Sequence, residues 1–462
     1  MSELAATGPQ PPPIEFANHT AALAWLEVEW SNLVAAVTYA AEHGPRVSSW
    51  ILADTLRGFF WTHRNPIDHR IIAEAALSAA QQEDDLCAQA AAEMSLADVL
   101  QCMGSYPAAI EHYSNAYELA RQAGWQEAEP CILNNLGNSY GDTGDLDRAI
   151  DCQGRALELY QRAGDPRGQA SALGNLGNFW GERGDLQRSS EFQVRALALY
   201  RRIDSRVGEA NCLDTLGEVA HLHGRLAEAR DHLTRAALLH QETGDHYGAA
   251  YNLRCLAAVE MDAGKRTEAL DLASTALARA SELGDPLSEA EAHNAVGLIH
   301  IQLNSPGEAE EHHRQALRLA RTVGARQAEI RALLGLSAAY RQAGGRTSDP
   351  VPAEPAEQAL ALAGAAGYRI LEGRAYTALA AARLTDSRHQ EAAELARLAL
   401  TTLRETGHLP GQVDALVTLG HALNALDGAE AAAACWQEAL TVARDIDGTA
   451  GDDVRHLLAA SE

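Results

Sequence analysis

Apolar residues recur along this 462-residue chain at one long, fixed interval. Leu56, Leu96, Leu136, Leu176, Leu216, Leu256, Val296 and Leu336 stand 40 residues apart, and after a three-residue slip the ladder resumes at Leu379 and Leu419. Self-similarity at such a period marks units that cannot bury their own apolar face and must stack to do so. The residue after each ladder position is mostly small, as in Gly137, Gly177, Gly217, Gly297 and Gly420. That choice lets two helices approach closely. A second small residue with an aliphatic neighbour lies 20 positions beyond the ladder residue, as in Ala156-Leu157, Ala196-Leu197 and Ala316-Leu317. Between the two markers fall Gly104, Gly144, Gly184, Gly224, Gly264 and Gly344, with Asn304 in the same role once. Glycine or asparagine just past a helix is the usual left-handed stop. Asp145 and Asp185 then stand as N-caps, and Gly164-Asp165-Pro166 and Gly284-Asp285-Pro286 read as stop, cap and first-turn proline. The pattern predicts ten units, each of helix A, a turn, helix B and a second turn.

Leu136-Gly137 with Tyr140, Gly144-Asp145-Leu146 and Ala149 closely resembles the tetratricopeptide repeat, as does Leu176-Gly177 with Trp180 and Gly184-Asp185-Leu186. Asn-Leu-Gly-Asn at residues 135–138 and 175–178 is similar to the long repeats of LGN/Pins adaptors and kinesin light chains. The resemblance covers about residues 50–445 and weakens at the ends, where Arg57 and Arg64 replace the small residue and the turn glycine. It implies an all-α fold: a right-handed superhelical solenoid of about ten helix pairs with end caps, atypical at its termini because one face there meets water.

The organisation expected is a disordered, proline-containing leader over 1–18, N-terminal capping helices over 19–48, the solenoid over 49–448 and a C-terminal cap over 449–462. The stretch Gly344–Pro355, with three prolines, interrupts the eighth unit and is expected to be a mobile loop. Ala24-Trp25-Leu26-Glu27-Val28-Glu29, Asn32-Leu33 and Phe59-Phe60-Trp61 resemble the segment that precedes the repeats in actinobacterial SARP/AfsR-type (STAND) transcription regulators. By that resemblance the chain corresponds to the sensor half of such a regulator. No Gly-x-x-x-x-Gly-Lys-Ser/Thr occurs, so the family's nucleotide chemistry is not carried onto these residues. A single lysine, Lys265, against 36 arginines points to a high-GC genome, such as that of an actinobacterium like Streptomyces.

A formal charge of −26 disfavours phosphate backbones and anionic membranes, so no nucleic acid or membrane partner is expected. Seven scattered cysteines, none in a Cys-x-x-Cys pair, fit a reducing cytoplasm better than a disulfide framework. Without a nucleophile elbow, a His-Glu-x-x-His or a dinucleotide fingerprint, the chain reads as no enzyme, with no cofactor and no metal site.

Tetratricopeptide geometry places helix A on the concave face. Groove positions are then Asn134, Asn138, Asn178, Asn211, Asp214, Glu218, Tyr251, Arg254, Asn294 and Arg331, flanked by Asn135 and Asn175, with Asp142, Glu182, His221, Asp262 and Arg341 further along. Asparagine offers donors and acceptors, so a row of them can clasp a peptide backbone without demanding its sequence. Such a row is also what a solvated helix face looks like. The arginines add carboxylate recognition. The function expected is a regulatory module that binds a peptide or protein segment in its groove. The alternatives are a small-molecule inducer sensor and a Rap-like regulator of a partner enzyme. An exposed end unit leaves a homodimer open.

Overall fold

The computed structural model describes residues 16–63, 65–344, 353–449 and 451–461, and among these it places twenty-two helices. Helix α1 (His19–His43) comes first, then α2 (Arg46–His63) with α3 (Pro66–Gln82), α4 (Leu86–Cys102) with α5 (Tyr106–Ala123), and α6 (Glu129–Thr143) with α7 (Leu146–Ala163). There follow α8 (Pro166–Arg183) with α9 (Leu186–Arg202), α10 (Arg206–Leu222) with α11 (Leu226–Thr243), and α12 (His246–Asp262) with α13 (Arg266–Leu283). Next are α14 (Pro286–Gln302) with α15 (Pro306–Val323), α16 (Arg326–Gln342) with α17 (Ala353–Ala366), and α18 (Arg369–Thr385) with α19 (His389–Thr406). The last pair, α20 (Leu409–Asp427) with α21 (Ala429–Ala443), is followed by α22 (Asp452–Ser461). The ten pairs match the ten ladder positions, each on the even-numbered helix. All the ladder residues are buried except Leu256, which is half-buried.

The turns are built as the glycine pattern requires. At the end of α6 the Asp145 N–H donates to the Tyr140 carbonyl at 2.9 Å across Gly144, which sits at φ 83°. The same bond joins Asp185 to Trp180, and in the turn after α14 Asn304 takes the left-handed position at φ 58°. Asp145, Asp185 and Asp165 then accept from the first-turn amides of the following helices. These interlocking bonds satisfy carbonyls and amides that helix ends otherwise leave orphaned.

The small residue after the ladder has a more specific reason than backbone approach alone. A Cβ added to Gly177 would stand 2.7 Å from the Gln193 amide, and one on Gly297 would stand 2.7 Å from the His313 ring. At Gly217 the intruder is Leu233, also at 2.7 Å, and at Gly420 it is the Trp436 indole, at 2.2 Å. Helix B therefore drives one large side chain into the gap left by a missing Cβ on helix A. The first unit departs from this rule: Arg57 stands in the small position and pairs with Asp98 of the next unit at 3.2 Å.

Consecutive even-numbered helices touch one another along the row from α6 to α20, so they form the inner wall and their partners the outer one. The solenoid winds tightly enough for its second turn to meet its first. Val323 lies 3.4 Å from the place a Cβ on Gly104 would occupy, Ala366 3.1 Å from that on Gly144, Thr406 2.7 Å from that on Gly184 and Ile446 2.8 Å from that on Gly224. The offset along the chain is nearly constant, as a regular superhelix demands. Leu146, Phe179, Ile330, Leu333, Tyr368 and Leu371 form one buried cluster across this seam, and Leu186, Val219 and Ile370 another. At its far end the Asp447 N–H donates to the Gly224 carbonyl at 2.9 Å, and its carboxylate accepts from Ala227 at the start of α11 at 3.3 Å.

Two expectations change at the interruptions. Helix α17 begins at Ala353, so Pro355 belongs to its first turn instead of a loop; residues 345–352, and with them the rest of the expected loop, lie outside the described residues. The expected leader lies outside them too as far as residue 15, while Asn18 at its end caps α1 by accepting from the Ala21 amide at 2.9 Å. Arg64 is likewise not described.

Two alanine substitutions separate insertion from propensity. Gly420→Ala must displace the Trp436 ring and is expected to destabilise the fold by about 1–3 kcal/mol. Gly154, inside α7 with open space at its Cβ position, is expected to gain ~0.5–1 kcal/mol as alanine. Urea titrations of both variants read the difference; equal effects would remove the insertion argument.

Candidate functional site

Seam closure turns the concave face into a lumen. A cavity of about 550 Å³ lies within it, lined by side chains from seven successive inner helices, α6 to α18. Position five before the ladder supplies Ser171, Asn211, Tyr251, Glu291, Arg331 and Arg374 in turn, and position six after it supplies Asp142 and Glu182. Both positions lie on one helical stripe, because three- and four-residue steps return to the same face. Tyr106, Tyr200, Phe179 and Tyr368 add aromatic surface between the charged groups.

The asparagine row is a bonded ladder more than a free clasp. Asn175 donates to Asn134 Oδ1 at 3.2 Å, Asn134 donates to Asn135 Oδ1 at 3.2 Å, and Asn135 reaches Asp98 at 3.5 Å. Gln153 donates to the Asn134 carbonyl and to Asn138 Oδ1 at 2.8 and 2.9 Å, and Gln193 to the Gly174 carbonyl and Asn178 Oδ1 at 2.9 and 2.7 Å. The inserted glutamines thus use the acceptor oxygens of Asn138 and Asn178. Asn175, Asn178 and Asn211 line the cavity, whereas Asn134, Asn135 and Asn138 are not among its lining residues. Asn294 also stands apart: it is buried, donates to the Ala328 carbonyl at 2.9 Å and bonds His313 at 3.2 Å.

Asp214 borders the cavity, but its carboxylate is committed behind the wall. It accepts from Asn252 at 2.6 Å and meets His240 Nε2 at 2.8 Å, while His240 Nδ1 meets Asp245 at 3.1 Å. Burial disfavours the imidazolium, yet the hydrogen bonds to Asp214 and Asp245 outweigh it and raise His240 to about 9. This group ties α10, α11 and α12 together. Glu218 accepts from the Tyr251 hydroxyl at 2.7 Å, Arg254 lies 4.7 Å from the centre of the Tyr251 ring, and Arg331 pairs with Glu291 at 2.7 Å. His221 and Asp262 meet at 2.8 Å further along the inner wall.

Two acids of the lumen, Glu182 and Asp142, are held above their ordinary range. Burial, then the Asp142 charge, pushes the Glu182 carboxyl up to about 8, and burial lifts Asp142 to about 6 against the opposing Gln101 hydrogen bond at 3.2 Å. Glu291, Arg374, Tyr106, Tyr200, Phe179 and Tyr368 were not singled out from the sequence, whereas Tyr251 was. Glu291 and Arg374 sit at the same offset as Arg331, so that periodic position carried the signal. Tyr368 arrives across the seam, where no local pattern announces it. Among the described residues no three His, Cys, Asp or Glu side chains are placed to hold a metal ion, and no helix is long and apolar enough to cross a membrane.

The profile of the tetratricopeptide repeat family matches residues 88–161, 128–179, 168–242 and 247–322, together half of the chain. The regulatory protein AfsR of Streptomyces griseus is 28% identical over 199 residues, a match covering 37% of this chain and 20% of that protein. The chain thus spans about a fifth of that relative. A Rap protein complexed with competence and sporulation factor superposes with a TM-score of 0.56 at 14% identity, covering 81% of this chain and 99% of that one. The Rap conjugation gene regulator of plasmid pLS20, in complex with the Phr* peptide, gives 0.54 at 11% identity, covering 71% and 93%. At these identities the two structures speak for the shared fold.

Both groups titrate higher in the fold, so both withdraw stability as pH rises; the costly form is the charged one for Glu182 and the neutral one for His240. A raised acid favours the folded state while protonated, so Glu182 withdraws stability as pH climbs from its ordinary range through about 8. Glu182→Gln should therefore raise the melting temperature at pH 8 and leave it nearly unchanged at pH 4. His240, raised from 6.5 to about 9, contributes fully below pH 6.5 and loses its contribution as pH rises through 9. His240→Asn should therefore destabilise most at pH 6 and progressively less towards pH 10. Melting curves across this range test both signs.

Proposed function

The chain belongs to the tetratricopeptide repeat family, and we propose that it is a regulatory interaction module that takes a peptide, or a segment of a partner protein, inside its superhelical lumen. The observation that carries this reading is the cavity itself: polar and charged side chains from seven consecutive units converge on one space inside the superhelix. Asn178 keeps its amide donors for a ligand carbonyl once Gln193 has taken its oxygen, and Asn211 offers both its donor and its acceptor. Backbone capture with aromatic packing suits an extended peptide.

The likeness to AfsR supports a place in a regulatory protein, as the sensor part of a transcription regulator. The Rap structures, with their bound factor and Phr* peptide, support a lumenal peptide as the ligand class. A small-molecule inducer is the second reading, favoured by the cavity's volume, which falls within the range of about 300–1,000 Å³ usual for such sites.

Native mass spectrometry of the purified chain, beside equilibrium dialysis against a random-sequence peptide mixture, tests the two. Selective retention of peptides is expected, weakened about tenfold or more by Asn211→Ala combined with Arg254→Ala. Retention that survives this change would remove the lumen from the account, and a co-purifying small mass with no peptide retained would shift it to the inducer.

A further inference from the structure

The lumen's charges do not neutralise one another, and the pattern of what is left over specifies a ligand more narrowly. Arg331 has found Glu291, and Glu218 has the Tyr251 hydroxyl. Glu182 and Arg374 line the same cavity, yet neither makes a hydrogen bond or ion pair with any described residue. Each instead stands near its own kind. The leading charge acting on Glu182 is Asp142, and the leading charge acting on Arg374 is Arg331.

The two come from different turns of the superhelix. Asp142 and Glu182 project from the C-terminal ends of α6 and α8, in the first superhelical turn. Arg374 projects from the N-terminal half of α18, which packs against α8 across the seam. Tyr368, just before α18, feels both Glu182 and Arg331. The first turn thus brings the unpaired carboxyl of Glu182, beside Asp142, to the cavity, and the second turn brings the unpaired guanidinium of Arg374; Arg254, also on the first turn, is occupied by the Tyr251 ring.

An unpaired charge enclosed by protein is costly unless a partner arrives, and a like neighbour makes it more so. For both groups the ionic form is disfavoured: burial and Asp142 push the Glu182 carboxyl up, while burial and Arg331 pull Arg374 below the ordinary arginine range. Asp414 and Asp262 offset part of the cost at Arg374, and Arg331 part of that at Glu182, but none of them forms an ion pair with either group.

Resting on the reading of the lumen as a peptide site, we infer that its ligand is a short peptide with both ends free, its terminal ammonium meeting Glu182 and Asp142 and its terminal carboxylate meeting Arg374. Such a peptide is enclosed whole and cannot be an internal segment of a longer partner chain. Its direction is set as well, running from the first superhelical turn towards the second. Because Glu182 must ionise to pair with the ammonium, binding near pH 7 releases a proton to the buffer.

The test uses the full chain and random-sequence tetra- to hexapeptides in four forms: free, N-acetylated, C-amidated and doubly blocked. Equilibrium dialysis should retain the free form, with each single block weakening retention about tenfold or more, as expected for loss of a charged hydrogen bond. Glu182→Gln should erase the difference between free and acetylated peptides, and Arg374→Met that between acid and amide. Circular dichroism melts confirm that both variants fold. If either variant unfolds, the comparison among the four peptide forms on the unaltered chain still decides. Calorimetry of the free peptides in two buffers of different ionisation enthalpy should show proton release that Glu182→Gln abolishes.

Retention of blocked peptides as strong as that of free ones overturns this inference while leaving the lumen as a peptide site. Selection of blocked peptides for an internal arginine or lysine also overturns the terminal assignment. Failure to retain any of the four forms removes the peptide reading itself.

Discussion

Where the second superhelical turn lands on the first decides what the ten helix pairs enclose. A solenoid whose turns stand apart offers an open trough, with its charges in water. Here Val323, Ala366, Thr406 and Ile446 settle on the turn tips at Gly104, Gly144, Gly184 and Gly224. The tips accept them because each is a glycine in the left-handed region. One constraint thus serves two ends: the residue that stops helix A also clears the ground for the next turn of the chain. Buried clusters across the seam, with Phe179 and Leu146 against Ile330 and Tyr368, add apolar burial that nearest-neighbour stacking alone does not provide.

Enclosure changes the electrostatics of the inner wall. On an open surface, Glu182, Asp142, Arg331 and Arg374 would be ordinary solvated residues, with ion pairs of little consequence. Inside the lumen the same side chains feel one another through protein, and their protonation departs from the usual range. The contrast with Asp214 is instructive. That acid is more deeply buried, yet its oxygens are held by Asn252 and His240, so the group acts as a brace between three helices. Glu182 lacks such partners, and its carboxyl is pushed up instead.

Much of the architecture was legible in the sequence because its markers are local and periodic. The ladder, the small residue beside it, the turn glycines and the Asp caps each act within one unit, and each recurs. The insertion of Gln193, Leu233 or Trp436 into the gap beside the small residue was not legible, since any large side chain will do and no single residue type repeats. The candidate site was read only in part. Asn178, Asn211, Tyr251, Arg254 and Arg331 line the cavity, while Asn134, Asn135 and Asn138 belong to a bonded row outside its lining and Asn294 to the helix packing. An asparagine on the inner stripe looks the same in sequence whether it faces a ligand or a glutamine. Glu291 and Arg374 follow the same offset as Arg331, but whether each is paired, as Glu291 is and Arg374 is not, depends on the neighbours that the superhelix brings round. Tyr368 depends entirely on the closure, and a contact between residues so far apart leaves no trace in a repeat pattern.

Tyr368 also shows why the seam and the cavity are one system. Its side chain is 2% exposed, its hydroxyl stands 3.1 Å from the place a Cβ on Gly144 would occupy, and its ring borders the cavity. Widening the superhelix would draw Tyr368 and Arg374 away from Glu182 together, because α18 carries or adjoins both. The closed form is the one in which Glu182 and Arg374 border one cavity. A ligand that spans those two groups has more to gain from the closed form than from any opened one. By linkage it then holds the seam shut by the difference in its affinity for the two. The same short bridge of residues, from the Gly144 turn through Tyr368 to α18, thus joins the lining of the lumen to the seam. On the proposed reading, a lumenal ligand would act on the pitch of the array through this bridge.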